Sequence, residues 1–265
     1  TIDVMQVYAY SVLVNTFGDI PYSESLDINN PQPKYDDAKT VTLDLLSRLD
    51  TDIAAMNGDA DGFGTADIIY GGNVGKWQKF ANSLRLKLAM VIADIDPGTA
   101  GAKIAASAAL PLITANADNA LFKYVGAPNN NPLSNDVPPR SARQDFVMAN
   151  TLVDEMNTLN DPRRAAYFTT VGGEYVGGKY GFSNVYANFS TFSTKVTATT
   201  FPGNMLDASE VNFLLAEAVE RGFITGDAKS YYDAAITASL AYWGVTGVED
   251  YLAQATVDYS NAGSG

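Results

Sequence analysis

KWQKFANSLRLKLAMVIADID, residues 76–96, is the stretch whose reading decides the fold. Trp77, Phe80, Ala81, Leu84, Leu88, Val91 and Ile92 fall on one stripe at helical spacing. Leu86, Ala89, Met90 and Ala93 form a second stripe, leaving Lys79, Asn82 and Arg85 or Lys87 at the margins. A helix lying on a sheet shows one apolar stripe. Two stripes call for cover on two sides, as an inner helix of a stacked array receives from its hairpin partner and from the neighbouring repeat. Trp77 and Phe80 read as core, because they share their stripe with Leu84 and Leu88.

Outward from this rod, helices continue in both directions. Residues 3–15 place Val4, Val7, Tyr8, Ser11 and Val12 on one side, and Gly18 and Pro21 stop that helix. A Pro- and Asn-rich loop over 22–37 leads to a second helix marked by Val41, Leu45, Leu49, Ile53 and Met56. Residues 57–75 are a Gly- and Asp-rich connection, and 100–110 an Ala-rich helix closed by Pro111. Over 116–139 the density of Asn and Pro predicts a loop without helix, and 144–159 predicts a helix. Residues 167–202 mix Gly turns with alternating aromatics, which predicts loop with at most a short hairpin. Asp207 and Glu210 fit a capping box ahead of Val211, Leu214, Leu215 and Ala218. Asp227 caps a further helix that carries Tyr231, Tyr232, Ala235, Ile236, Leu240 and Trp243 and ends at Gly244. Such a pair resembles a tetratricopeptide unit of about 34 residues. The expected class is all-α dominated: an α-α superhelix of tetratricopeptide-like hairpins with long irregular loops, built as a single domain over residues 1–265.

Composition excludes several chemistries. With 17 Lys and Arg against 30 Asp and Glu, the formal charge is −13, which repels nucleic acid and anionic lipid. The chain has no Cys and no His, which removes thiol nucleophiles, Ser-His-Asp triads and ordinary zinc sites. No apolar run is long enough to cross a bilayer. The chain opens inside a helical pattern and stops in NAGSG, so a fragment of a longer precursor is expected, with any signal or lipid-attachment sequence outside it. Asn57, Asp59, Asp61 and Gly62 match the first, third, fifth and sixth positions of a calcium loop. Ile68 stands where the bidentate Glu is needed, so no calcium ion or other cofactor is assigned.

Several short pieces, in order, resemble one family. They are Phe17-Gly18-Asp19-Ile20-Pro21-Tyr22, Ile69-Tyr70-Gly71-Gly72, the rod from Lys76 to Leu86, Asn131-Pro132-Leu133, Asp161-Pro162-Arg163, Glu210 to Ala218 and Gly222 to Ala228. This order resembles that of the SusD-like outer-membrane glycan-binding proteins, in their starch-binding branch, over almost the whole chain. The resemblance implies a surface lipoprotein of the Gram-negative outer membrane. Such a protein captures oligosaccharide as a lid on a TonB-dependent SusC-like transporter, and is not an enzyme.

Sugar C–H faces stack on aromatic rings and sugar hydroxyls need amide or carboxylate partners. The candidate contacts are therefore the loop aromatics Tyr175, Tyr180, Phe182, Tyr186 and Phe189, with Asn129 and Asn131. The bland alternatives are that the rings cover the core from outside and that the Asn residues form turns. Arg140 and Arg143 read as surface ion-pair donors. Two rival functions use the same sequence. A carboxylate-dependent glycoside hydrolase needs two acids facing each other across roughly 5 to 9 Å, and a tetratricopeptide-type scaffold needs only a concave helical groove.

Overall fold

The computed structural model describes residues 1–261; the small-residue tail at 262–265 lies outside them. Its helices are α1 (Ile2–Phe17), α2 (Ala38–Ala55), α3 (Val74–Val91), α4 (Pro97–Ala108), α5 (Pro132–Asp136), α6 (Asn150–Thr158), α7 (Arg164–Tyr167), α8 (Ala208–Glu220), α9 (Ala228–Trp243) and α10 (Val248–Leu252). Strands are few and short. β1 (Ile20–Pro21) pairs antiparallel with β2 (Tyr35–Asp36), and β3 (Ala120–Phe122) pairs with β4 (Gly203–Leu206). The fold is thus helical, as the periodicity expects.

Side-chain caps fix where the helices begin. Asp37, Asn73, Asp96 and Asp207 each accept a hydrogen bond from the amide three residues on, opening α2, α3, α4 and α8. Each cap is worth about 1 kcal/mol. The Glu210 amide donates to Asp207 at 2.8 Å, as the expected capping box requires, and the Glu210 carboxylate sits 2.6 Å from Lys87 Nζ. Gly244 closes α9 with φ at 72°, a backbone that a side chain would resist.

The chain divides into two compact units, residues 1–120 with 206–231, and residues 121–205 with 232 onward. In the first, α3 packs against α1, α2, α4 and α8. Twelve of its residues are buried. Phe80 meets Tyr8 of α1 at 5.8 Å between ring centroids and Trp77 at 5.6 Å, both in tilted or edge-on arrangements. The Trp77 indole donates to Asp67 at 2.7 Å. Asp67 also accepts from the amides of Ile69, Tyr70 and Gly72, so it ties the preceding loop to the helix.

Four positions on this unit, Val91, Val12, Asn82 and Arg85, correct the sequence reading. Val91 and Val12 are exposed, while Tyr10 and Val14 of α1 are buried instead. Asn82 and Arg85 are not marginal. Asn82 is 1% exposed and donates from Nδ2 to the carbonyls of Ser107, Leu110 and Pro111. Arg85 is 5% exposed; it donates to Ser107 Oγ and Asn82 Oδ1 and pairs with Asp50 at 2.9 Å. Two strongly polar groups enter a core because each of their side-chain nitrogens finds at least one acceptor there.

The second unit corrects two element assignments. The helix expected over 144–159 begins only at Asn150. Met148 instead donates its amide to Ser190 O and accepts at its carbonyl from Gly178 N, and these partners far along the chain hold the backbone extended. Conversely, α5 forms inside 116–139. Asn131 caps it and Pro132 occupies its first turn, where the missing amide donor costs nothing. Two apolar clusters organise the unit: Val153, Met156 and Phe168 in one, and Ile236, Leu240, Tyr251 and Val257 in the other.

Buried Asp161 joins elements of this unit. Arg163 Nε donates to Asp161 Oδ1 at 2.9 Å and the Tyr251 hydroxyl donates to Oδ2 at 3.3 Å, while Arg163 NH1 reaches Ser239 at 2.7 Å. Burial alone would raise the Asp161 carboxyl, but the hydrogen bonds and charge of Arg163 more than offset it and hold its pKa below 3.8. A depressed folded-state pKa contributes stability that is present above the unfolded value near 4 and lost as pH falls through the folded value. Stability measured by denaturant between pH 5 and 2 should therefore fall less steeply in Asp161→Asn than in the parent. Equal slopes would remove Asp161 from the account of acid sensitivity.

Candidate functional site

The aromatic loop of the second unit is built on a hydrogen-bonded base. Gly178 N donates to Met148 O, Asn150 N to Gly178 O, and Ser190 N to Val176 O, each at 2.8 Å. The Ser190 hydroxyl accepts from Val176 N at 2.9 Å. Gly177 lies so close to Asn150 that an added Cβ would come within 2.4 Å of its Cα, so the base closes only with glycine there.

Above that base the segment from Lys179 to Asn184 is clasped by one side chain. Asn184 Oδ1 accepts from Lys179 N at 3.0 Å, and its Nδ2 donates to Lys179 O at 3.1 Å and Phe182 O at 2.8 Å. Gly181 turns the chain at φ 76°. Asn150 Oδ1 accepts from Tyr180 N at 3.1 Å. The consequence is a fixed tip that holds two rings out to solvent: Tyr180 is 76% exposed and Phe182 62%. Lys179 Nζ lies 3.8 Å from the Phe182 ring centroid, covering one face of it as a cation–π contact.

The seven residues nominated from sequence are not gathered in one place. Tyr180 and Phe182 share the tip. Tyr186 begins a short 3-10 turn just after it and lines a dimple of about 10 Å³ with Arg143 and Phe146, room for no more than one water. Phe189 ends the same turn, half-buried. Tyr175 faces inward: it packs on the Val153, Met156 and Phe168 cluster, with the Arg164 guanidinium 5.4 Å from its ring centroid. Asn129 is exposed and bridges to Gly126 within a separate turn. Asn131 is committed to the backbone, capping α5 through Leu133 N at 2.9 Å and donating to Phe201 O at 2.7 Å. Sequence reasoning passed over Lys179, Asn150 and Asn184, which hold and flank the exposed rings. The Lys-Tyr-Gly-Phe-Ser-Asn run carries the signal, a turn glycine followed three residues later by an amide able to close it.

Arg143 is the exposed ion-pair donor expected, 2.7 Å from Asp145. The calcium-like residues shape a turn: Asn57 Oδ1 accepts from Asp59 N at 3.1 Å, and Gly62 lies backbone to backbone on Gly72. Asp52 is the carboxyl pushed upward, to about 6, by burial and then by the neighbouring Asp3 charge. Asp3 is held by Arg48 of α2, so this acid pair lies at a helix-helix contact and lines neither of the clefts described for this chain.

A SusD-like family model, described as starch-binding associating with outer membrane, matches residues 1–264. Among solved structures the chain is similar to a SusD homologue from Bacteroides uniformis, at 33% identity and TM-score 0.86, over 95% of this chain and 54% of that one. It is similar to a SusD-like protein from Bacteroides thetaiotaomicron at 31% identity and TM-score 0.80, over 94% and 54%. A chitin-binding SusD homologue from Flavobacterium johnsoniae gives 30% identity and TM-score 0.84, over 95% and 54%. The chain thus spans about half the length of these structures, 54% of each. No curated protein matches.

Proposed function

Because the chain belongs to the SusD-like family of starch-binding proteins that associate with the outer membrane, we propose that it captures oligosaccharide at the surface of a Gram-negative cell. It passes the cargo to a TonB-dependent SusC-like transporter and is attached to the membrane by a lipid anchor. The observation that carries this reading is the family match over residues 1–264, supported by a chitin-binding SusD homologue at 30% identity. The family binds carbohydrate rather than turning it over, and no helix among the described residues is long and apolar enough to span a membrane.

The clasped tip supplies what a neutral glycan requires. Tyr180 and the uncovered face of Phe182 offer ring surfaces for sugar C–H faces, and the Tyr180 hydroxyl offers a polar partner at its edge. Fixing the backbone that carries the rings before the ligand arrives lowers the cost of ordering the loop on binding.

Titration calorimetry against malto- and chito-oligosaccharides tests the proposal. Binding without release of new reducing ends is expected. Tyr180→Ala should weaken it about tenfold, equivalent to about 1.4 kcal/mol, while Tyr175→Ala should lower stability and leave affinity in place. New reducing ends would make the protein an enzyme, and indifference to every glycan would leave the scaffold reading.

A further inference from the structure

We propose that the cleft beside the start of α3 is a second binding site, for a small sugar acid. This inference is independent of the oligosaccharide reading above. The cleft measures about 500 Å³, the size of an ordinary small-molecule site. The opening residues of α3, the end of α2 and the two short segments at 110–111 and 118 enclose it. All of them belong to the first unit.

Its walls divide by chemistry. Ile53 and Pro111 give an apolar side suited to the C–H face of a sugar ring. Gln78 lines the cleft and anchors its Nε2 to Met56 O at 2.6 Å. Its carbonyl oxygen, which lies beside Gly58, accepts from no protein donor among the described residues and is the acceptor offered to a ligand hydroxyl. Lys76 and Lys79 stand three residues apart on the same face of the helix, both lining the cleft. Lys79 Nζ pairs with Asp118 at 2.6 Å, so its charge is balanced. Lys76 Nζ donates to the neutral carbonyl of Ala117 at 2.5 Å, so its charge is not balanced.

The cleft therefore carries one positive charge in excess, in a chain whose net charge is −13. At physiological salt the repulsion from acids more than about 8 Å away is largely screened. Of the nearer acids, Asp61 is bridged to Asn73 at the rim and does not line the cleft, so the lining ammonium groups weigh most in which ion enters. Each ammonium has three donors and the partners above use one apiece, so donors remain for a ligand carboxylate. A molecule with one C–H face, several hydroxyls and one carboxylate matches these three walls together. A neutral sugar leaves Lys76 without a counter-charge, and a bare oxyanion leaves the apolar side and Gln78 unused.

Backbone-amide NMR of the whole chain, titrated with D-glucuronate, D-glucose and inorganic sulfate, tests the assignment. Glucuronate should saturate and shift amides within 73–79 and 110–118. Its affinity should fall at least tenfold in Lys76→Gln and in Lys79→Gln. D-glucose should bind at least tenfold more weakly. Lys76→Gln should keep the parent melting temperature, which separates loss of the site from loss of the fold. Equal binding of glucose, sulfate as tight as glucuronate, or glucuronate shifts confined to other residues would each overturn the proposal.

Discussion

Phe80→Ala should destabilise the first unit by about 3–5 kcal/mol, the range for truncating a buried aromatic and leaving a cavity. Phe80 is fully buried and touches Tyr8 and Trp77, and its helix is covered by α1, α2, α4 and α8. Neighbours on four sides limit how far the site can collapse to fill the void, which puts the expected loss toward the upper end. Denaturant unfolding in a Trp243→Phe background lets Trp77 report on its own unit, so that a second transition elsewhere does not blur the midpoint. Phe182→Ala, on the exposed tip, should change stability by no more than about 0.5 kcal/mol. A loss near 1 kcal/mol for Phe80→Ala would mean that α3 is not enclosed.

Asn82→Leu is the second large effect expected. Leucine keeps much of the volume but removes the donor from three carbonyls, those of Ser107, Leu110 and Pro111, and the acceptor from Arg85. An unsatisfied buried polar group costs about 1–3 kcal/mol. Leu110 and Pro111 border the open cleft, where water can replace the lost donor, whereas the Ser107 carbonyl and the Arg85 guanidinium lie deeper. The sum should be about 3 kcal/mol. Asn82→Asp should recover the Arg85 contact and not the carbonyls, giving an intermediate midpoint in the same unfolding experiment. Parent-like stability in Asn82→Leu would show that the amide network contributes nothing.

The rod at 74–91 was legible because bulky apolar residues on two arcs have few alternatives to burial. Its polar members were not. Periodicity puts Asn82 and Arg85 at the margin by residue type, and only the approach of the 107–111 segment and of Asp50 turns them into satisfied core groups. The same blindness to distant partners explains the helix expected over 144–159. Local pattern favours helix there, yet Met148 and Asn150 find backbone partners at Ser190 and Gly178. The short helix α5 was missed for the opposite reason, since its Asn-Pro start looks like turn chemistry until the cap is seen to engage Leu133.

For the candidate site, composition located the aromatic loop but could not sort its rings. Tyr175 and Tyr180 differ by five positions and by fate. Contacts with Phe168 and Arg164 draw the first inward, and the Asn184 clasp holds the second out. The cleft beside α3 was invisible in the sequence because its walls come from segments separated by tens of residues.

Hydrogen exchange of the free protein and of the protein with a binding oligosaccharide tests the central claim most directly. That claim is that an enclosed α3 carries the fold while the clasped tip meets the sugar. The account predicts that amides of 80–90 exchange among the slowest in both states and that the protection added by oligosaccharide falls within 176–190. Exchange of α3 as fast as that of the loops, or added protection that spares 176–190, would contradict it.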